Sequence, residues 1–281
     1  MSKPRQHKSD DRDIVRDHYA SGYEADRLNS GAGQLERERT RELLLRFLPE
    51  APATVLDVGG GSGEYACWLA TLGYEVHLID LVPVHVDLAR RSSDQQPNAP
   101  LASVTEGDAR SLSFDDESVD AVLLFGPLYH LTERADRIKA LKEAYRVLRP
   151  EGILMAAGIS RFASTLDGLR KEFLKDPRFV KIADQDLKDG QHRNPDRVKG
   201  YFTDTFFHHP DELTAEISEA GFEVTTLLGI EGPSWLAPDF NKWWEDKTHR
   251  ETLLNVAGKL ETEPTLIGVS AHLMVMGKKR A

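Results

Sequence analysis

Asp57, Gly59, Gly61 and Gly63 make the spacing D-x-G-x-G-x-G, entered from the apolar run Val55-Leu56-Asp57-Val58. Without Cβ atoms in the way, a turn this rich in glycine lets backbone N–H groups approach a ligand closely. Glu64 to Ala70 follows with helical composition and no breaker, so the stretch reads as strand, glycine turn and helix N-terminus. A second carboxylate, Asp80, closes the next β-type run, Tyr74 to Asp80, where nucleoside-binding α/β folds place an acid that accepts ribose hydroxyls. A third, Asp108, stands in Glu106-Gly107-Asp108-Ala109-Arg110, just after the short run Leu101 to Thr105. Taken singly, each acid could be a helix cap or a loop residue, and the glycine turn could serve only strand–helix packing. Taken in order, the three acids converge where open α/β sheets bind ligands, outside the carboxyl ends of the strands. The spacing also disfavours one chemistry. A dinucleotide fingerprint needs G-x-G-x-x-G, and Glu64 stands where the third glycine should be.

These residues need a sheet to hold them. Ser118 to Phe125 is nearly all apolar, as a central parallel strand should be, and breaks at Gly126-Pro127. Pro83 opens a helix reaching to about Arg91, and Thr132 to Leu148 is amphipathic, ended by Arg149-Pro150-Glu151-Gly152. Ile153 to Ile159 is the fifth strand; Phe222 to Gly229 and Leu266 to Met276 are the last two, with a helix over Pro210 to Ala220 before them. Two helices, from Asp10 to about Leu28 and from Gln34 to Leu48, precede the first strand. Two long connections interrupt the second half. Ser160 to His209 holds a helix over Phe162 to Leu174 and then a long polar segment; Gly232 to Pro264 holds Trp235, Trp243 and Trp244. Connections of this length usually serve as lids or binding loops. His192, Tyr201, Phe206, His208 and Trp235 are therefore candidate substrate contacts for a planar or apolar small molecule, with packing of the lid onto the core as the other reading.

Bulk properties narrow the classes. The 281 residues carry a net charge of −10, which argues against a nucleic-acid partner. Cys67 is the single cysteine, so there is no internal disulfide and no cysteine metal cluster. His208 and His209 are adjacent and no H-E-x-x-H occurs, so no metal is expected. Met1 to Asp10 lacks the apolar core of a secretory signal, and the longest apolar runs are strand-length, so no membrane partner is expected and the expected location is cytoplasmic.

The D-x-G-x-G-x-G loop, the G-D-A turn after the third strand and the run Glu143 to Gly152 together resemble the class I S-adenosylmethionine-dependent methyltransferases, in the small-molecule (UbiE-like, methyltransferase type 11) branch. The resemblance is continuous up to Ile159, with Glu151 in place of a glycine. It implies an α/β fold, a three-layer doubly wound sandwich whose seven-stranded, mostly parallel sheet has an antiparallel last strand. Residues 1–9 would be a disordered arm, 10–50 an N-terminal helical cap, and 51–281 the cofactor-binding domain with lid insertions at about 160–209 and 232–264. The implied cofactor is S-adenosylmethionine, leaving as S-adenosylhomocysteine. Asp57, Gly59, Gly61, Gly63, Asp80, Leu81, Asp108, Ala109 and Phe125 would hold it, under a lid carrying Tyr19, Tyr23 and Arg27. For those three, aromatic packing and a surface arginine explain the residues equally well. Tyr129 and His130, just after the fourth strand, would face the cofactor methyl and the acceptor, His130 as general base and Tyr129 orienting. For His130 a structural role at a helix start is an equal alternative. The implied reaction is direct displacement of the methyl by a nucleophilic O, N, S or C atom of a small molecule. RNA or protein methylation, or cofactor sensing without chemistry, are the rival functions; Phe125-Gly126-Pro127-Leu128 stands where nucleic-acid enzymes of this class carry N/D-P-P-Y.

Overall fold

Alternation along β1 (Thr54–Val58) builds the centre of the molecule. Val55 points into the apolar cluster on one face of the sheet, and Leu56 and Val58 into the cluster on the other. The same alternation recurs in β4 (Val119–Leu124), where Ala121 and Leu123 face one way and Val122 and Leu124 the other. Two buried faces demand two helical layers, which is the three-layer arrangement. The computed structural model describes residues 27–281. The expected arm and first helix, with Tyr19 and Tyr23, lie outside the described residues.

β1 pairs in parallel with β2 (Glu75–Asp80) on one side and with β4 on the other, and β3 (Ser103–Glu106) extends the β2 edge. β5 (Leu148–Ser160) pairs in parallel with β4. The final strand, β9 (His272–Lys278), lies antiparallel between β5 and β8 (Glu223–Gly229). The main sheet therefore runs β3-β2-β1-β4-β5-β9-β8, with β9 the one reversed strand. The last strand starts at His272 rather than Leu266, because Ile267–Val269 forms a 3-10 turn first.

Two short strands add to the seven expected. β6 (Gln191–His192) pairs with β7 (Thr205–His208), and β7 pairs in parallel with Ile159 and Ser160 at the end of β5. β9 already holds the other edge of Ile159, so β7 continues the sheet on the β4 side, beyond the end of β4.

The first insertion is more helical than its composition suggests. The expected helix spans only Ala163–Arg170, and the segment read as polar loop contains a second helix, Pro177–Asp189. That helix is capped by Asp176, whose side chain accepts from the Arg178 N–H at 2.8 Å; it has Pro177 in its first turn and ends at Gly190 with φ 75°. Phe179, Ile182, Ala183 and Asp186 form its buried stripe. In the second insertion, Trp235, Phe240, Trp244 and Leu253 pack with Leu35 of the N-terminal helix Gly33–Phe47. Arg39 of that helix is buried, donates to the Ile230 carbonyl at 3.1 Å and pairs with Glu261. Among the described residues no helix is long and apolar enough to cross a membrane.

Candidate active site

At the carboxyl end of β1 the glycines open the backbone. Gly59 has φ 73°, and a Cβ there would stand 2.7 Å from Pro127 Cδ. Gly60 has as little room: its Cβ would lie 2.7 Å from Asp57 Oδ2. Gly63 has a different task, capping the helix Glu64–Thr71 in a left-handed conformation.

Asp80 fastens this loop. Its Oδ2 accepts from the Gly61 N–H at 2.9 Å, and its Oδ1 from the Val82 N–H at 2.8 Å, with His85 Nδ1 at 3.2 Å. A carboxylate has about four acceptor sites, so about one remains on Asp80 for a ligand hydroxyl while His85 stays in place. Asp57 is held differently. It is buried, its Oδ2 has no partner among the described residues, and burial together with the Asp80 charge pushes its pKa up to about 7. Asp108 is gripped by Arg110, whose Nε and Nη2 donate to it at 3.0 and 2.7 Å while Nη1 holds Asp136.

These parts share one crevice. It is lined by Asp57, Gly59, Gly61, Asp80, Leu81, Asp108, Ala109 and Phe125 on the sheet side, with Tyr129 and His130 after β4 and Arg27 from the N-terminal segment. The short helix Pro127–His130 carries the two candidate catalytic rings, whose centroids are 4.7 Å apart. Phe202 of the first insertion stacks on His130 at 6.4 Å. Leu28, Glu36, Tyr65, His85 and Leu131 also line the crevice and were not anticipated. The readable signal for Tyr65 is its place in the first turn of the helix Glu64–Thr71, directly after the glycine loop. Tyr65 meets Phe125 edge to face at 5.7 Å.

The proposed lid contacts stand elsewhere. His192, Tyr201, Phe206, His208 and Trp235 are all buried, and none lines this crevice. His192 sits between Asp186 at 2.8 Å and the Tyr201 carbonyl at 2.7 Å, stacked on Phe207. Tyr201 packs on Phe179 and donates its hydroxyl to Asp176 at 2.9 Å. Phe206 lies 3.6 Å beneath the Arg137 guanidinium. His208 faces Glu216 at 3.4 Å, and burial lowers its pKa. Trp235 donates its indole N–H to the Val269 carbonyl at 2.8 Å. These side chains pack the insertions onto the core, away from this crevice.

Comparison with known proteins agrees with this geometry. Residues 56–156 match the family described as a methyltransferase domain. An uncharacterized methyltransferase of Mycobacterium tuberculosis is 34% identical over 128 residues, covering 44% of this chain and 49% of that protein. The demethylmenaquinone methyltransferase of Deinococcus radiodurans is 34% identical over 138 residues, 48% of this chain and 54% of that protein. The chain thus spans about half the length of these curated relatives. Among solved structures, an S-adenosylmethionine-dependent methyltransferase of Methanosarcina mazei superposes with a TM-score of 0.56 at 22% identity, over 85% of this chain and 97% of that one, a likeness of fold. Sheet order, glycine loop and family match agree: residues 56–156 match a methyltransferase domain, and the chain has the fold of the S-adenosylmethionine-dependent methyltransferases.

Proposed function

We propose that this chain transfers the sulfonium methyl of S-adenosylmethionine to a nucleophilic atom of a small aromatic or apolar molecule. The observation that carries the reading is the convergence of Asp57, Asp80 and Asp108 with an open glycine loop in one crevice that also bears Tyr129 and His130. The cofactor fits these residues. It is cationic at sulfur and at its amino group, and Asp57 offers a buried oxygen to which no described residue donates. At Gly59 and Gly60 a Cβ would collide with Pro127 and Asp57, so the backbone there has to stay bare.

When bound, the cofactor supplies a methyl on an already activated leaving group. What the protein adds is position, dryness and, for an acceptor bearing a proton, a base. Tyr65, Phe125, Tyr129 and Leu131 give the crevice apolar walls suited to a planar ring. His130 takes the proton of an acceptor hydroxyl, thiol or amine as the new bond forms, and Tyr129 orients the acceptor beside it. Support for a ring acceptor comes from the Deinococcus radiodurans relative, which acts on demethylmenaquinone.

The test starts with calorimetric binding of S-adenosylhomocysteine to the chain. Methyl-labelled S-adenosylmethionine is then offered with a cell extract split into small-molecule, RNA and protein fractions. Label in the small-molecule fraction, lost in Asp80→Ala, is the expected result. Label in RNA or protein, or binding with no transfer to any fraction, overturns it.

A further inference from the structure

Behind the crevice wall lies a row of charges that the proposed transfer does not use. Arg27 lines the crevice and pairs with both Glu36 oxygens, with Nη2 2.8 Å from Oε1. On the far side of Glu36, His272 Nδ1 is 3.6 Å away, at the first residue of β9. Glu231, after β8, completes the row with Oε1 2.5 Å from the same nitrogen. Glu231 itself is fixed: its Oε2 accepts from Ser270 Oγ at 2.8 Å and from the His272 N–H at 3.0 Å.

We propose that His272 is a positioning residue for the amino-acid end of the cofactor, setting the Arg27 guanidinium on the crevice wall through Glu36. The inference rests on the cofactor reading above. A cofactor carboxylate needs a cation in a crevice that is otherwise acidic. Of the two guanidinium groups lining it, Arg110 is held by Asp108 and Asp136 with its side chain 10% exposed, whereas Arg27 keeps 38% of its side chain exposed. Arg27 is therefore the docking point, and Glu36, bound to it through both oxygens, helps to set its place.

The electrostatics run the same way. Burial opposes charge on His272, but the carboxylates of Glu36 and Glu231 outweigh it and raise its pKa above the ordinary 6.5. Burial likewise opposes charge on Glu36, yet Arg27 and His272 hold its pKa at about 2. The charged and titratable groups facing this row among the described residues are Arg27 and Glu36, Glu231 from the turn after β8, and Tyr65, whose hydroxyl pKa is raised by burial and by Glu36. Glu36, Glu231 and His272 bring ligand-type atoms within 4.8 Å of one another, but the cation already on Glu36 is the Arg27 guanidinium. If His272 loses its proton, two carboxylates face each other across a neutral ring, and their repulsion displaces Glu36 and the Arg27 it carries.

The test compares S-adenosylhomocysteine with 5′-methylthioadenosine, which lacks the amino-acid end, by calorimetry from about pH 6 to about pH 9, spanning the imidazole range. His272→Gln is measured beside the wild type, so that their ratio removes the titration of Asp57. That ratio is expected to be roughly fivefold or more for S-adenosylhomocysteine at low pH and to fall towards one as pH rises. For 5′-methylthioadenosine it stays near one throughout, which also shows that the variant is folded. His272→Lys, keeping the positive charge to higher pH, restores affinity where the wild type has lost it. Equal losses for both ligands, or unchanged S-adenosylhomocysteine affinity in His272→Gln, overturn the positioning role while leaving the cofactor reading intact. A wild type that binds neither ligand overturns both.

Discussion

Asp80, at the end of β2, accepts a hydrogen bond from the backbone N–H of Gly61 at 2.9 Å, so a single carboxylate both shapes the glycine loop and faces the crevice. Asp80→Ala removes both actions. Losing a charged acceptor from buried N–H donors costs about 1–3 kcal/mol, so S-adenosylhomocysteine affinity is expected to fall roughly tenfold or more. Calorimetry checks the affinity and urea unfolding the stability. Asp80→Asn, which keeps one oxygen, should lie between.

Asp57 predicts a conflict between binding and stability. Its folded pKa of about 7 exceeds the ordinary 3.8, so between those values the folded chain keeps a proton that the unfolded chain has lost. Stability therefore falls as pH rises through that window, and the deficit is complete above it. Asp57→Asn should be neutral below about pH 4 and more stable than wild type by roughly 2–4 kcal/mol above about pH 7. Cofactor affinity should fall in the same variant. Denaturant melts at the two pH values, with calorimetry, read both effects.

His130→Gln separates chemistry from binding. For an acceptor whose nucleophile carries a proton, kcat should drop by roughly a hundredfold or more, with S-adenosylhomocysteine affinity little changed. Phe202→Ala loosens the ring stacked on His130 and should lower kcat less. Steady-state kinetics with parallel binding measurements would show the pattern, and an equal loss of both quantities would contradict it.

At Gly59 the backbone itself is at stake. Alanine there would occupy a left-handed conformation and push its Cβ to 2.7 Å from the rigid Pro127 ring. The two effects together should cost about 2–4 kcal/mol, and the shift of Pro127 would carry Tyr129 and His130 with it. Loss of turnover with a lowered melting temperature is the expected signature.

The cofactor side of the crevice was legible because alternation, a glycine turn and strand-end acids are local signals with one geometric meaning. The acceptor side was not, because residue type does not reveal direction. Tyr201, Phe206 and Trp235 looked like ligand contacts and are packed inside the insertions, while Tyr65 and Glu36 line the crevice from helices that also pack on the sheet. Helix Pro177–Asp189 is hard to read because charges cover most of its surface; its signals are the Asp176-Pro177 start, the Gly190 stop and the spacing of Phe179, Ile182 and Ala183. At Glu151, which stands where the family has glycine, the backbone takes φ 68°, so the glycine-type turn is kept by a residue that adopts it less readily. Nothing short-range could have joined Arg27 to His272, since that row closes only when β9 meets the N-terminal helix.

β7 extends the sheet past the end of β4 and packs against the short helix bearing Tyr129 and His130. The helix carrying the two candidate rings is thus buttressed by the sheet, not displayed on a pliable loop. Descendants of this protein that change their preferred acceptor would have to alter Tyr129 or Leu131 together with the residues packed beneath that helix. New specificities should arise as correlated sets of interior replacements, and single exchanges at the rim should leave preference much as it was.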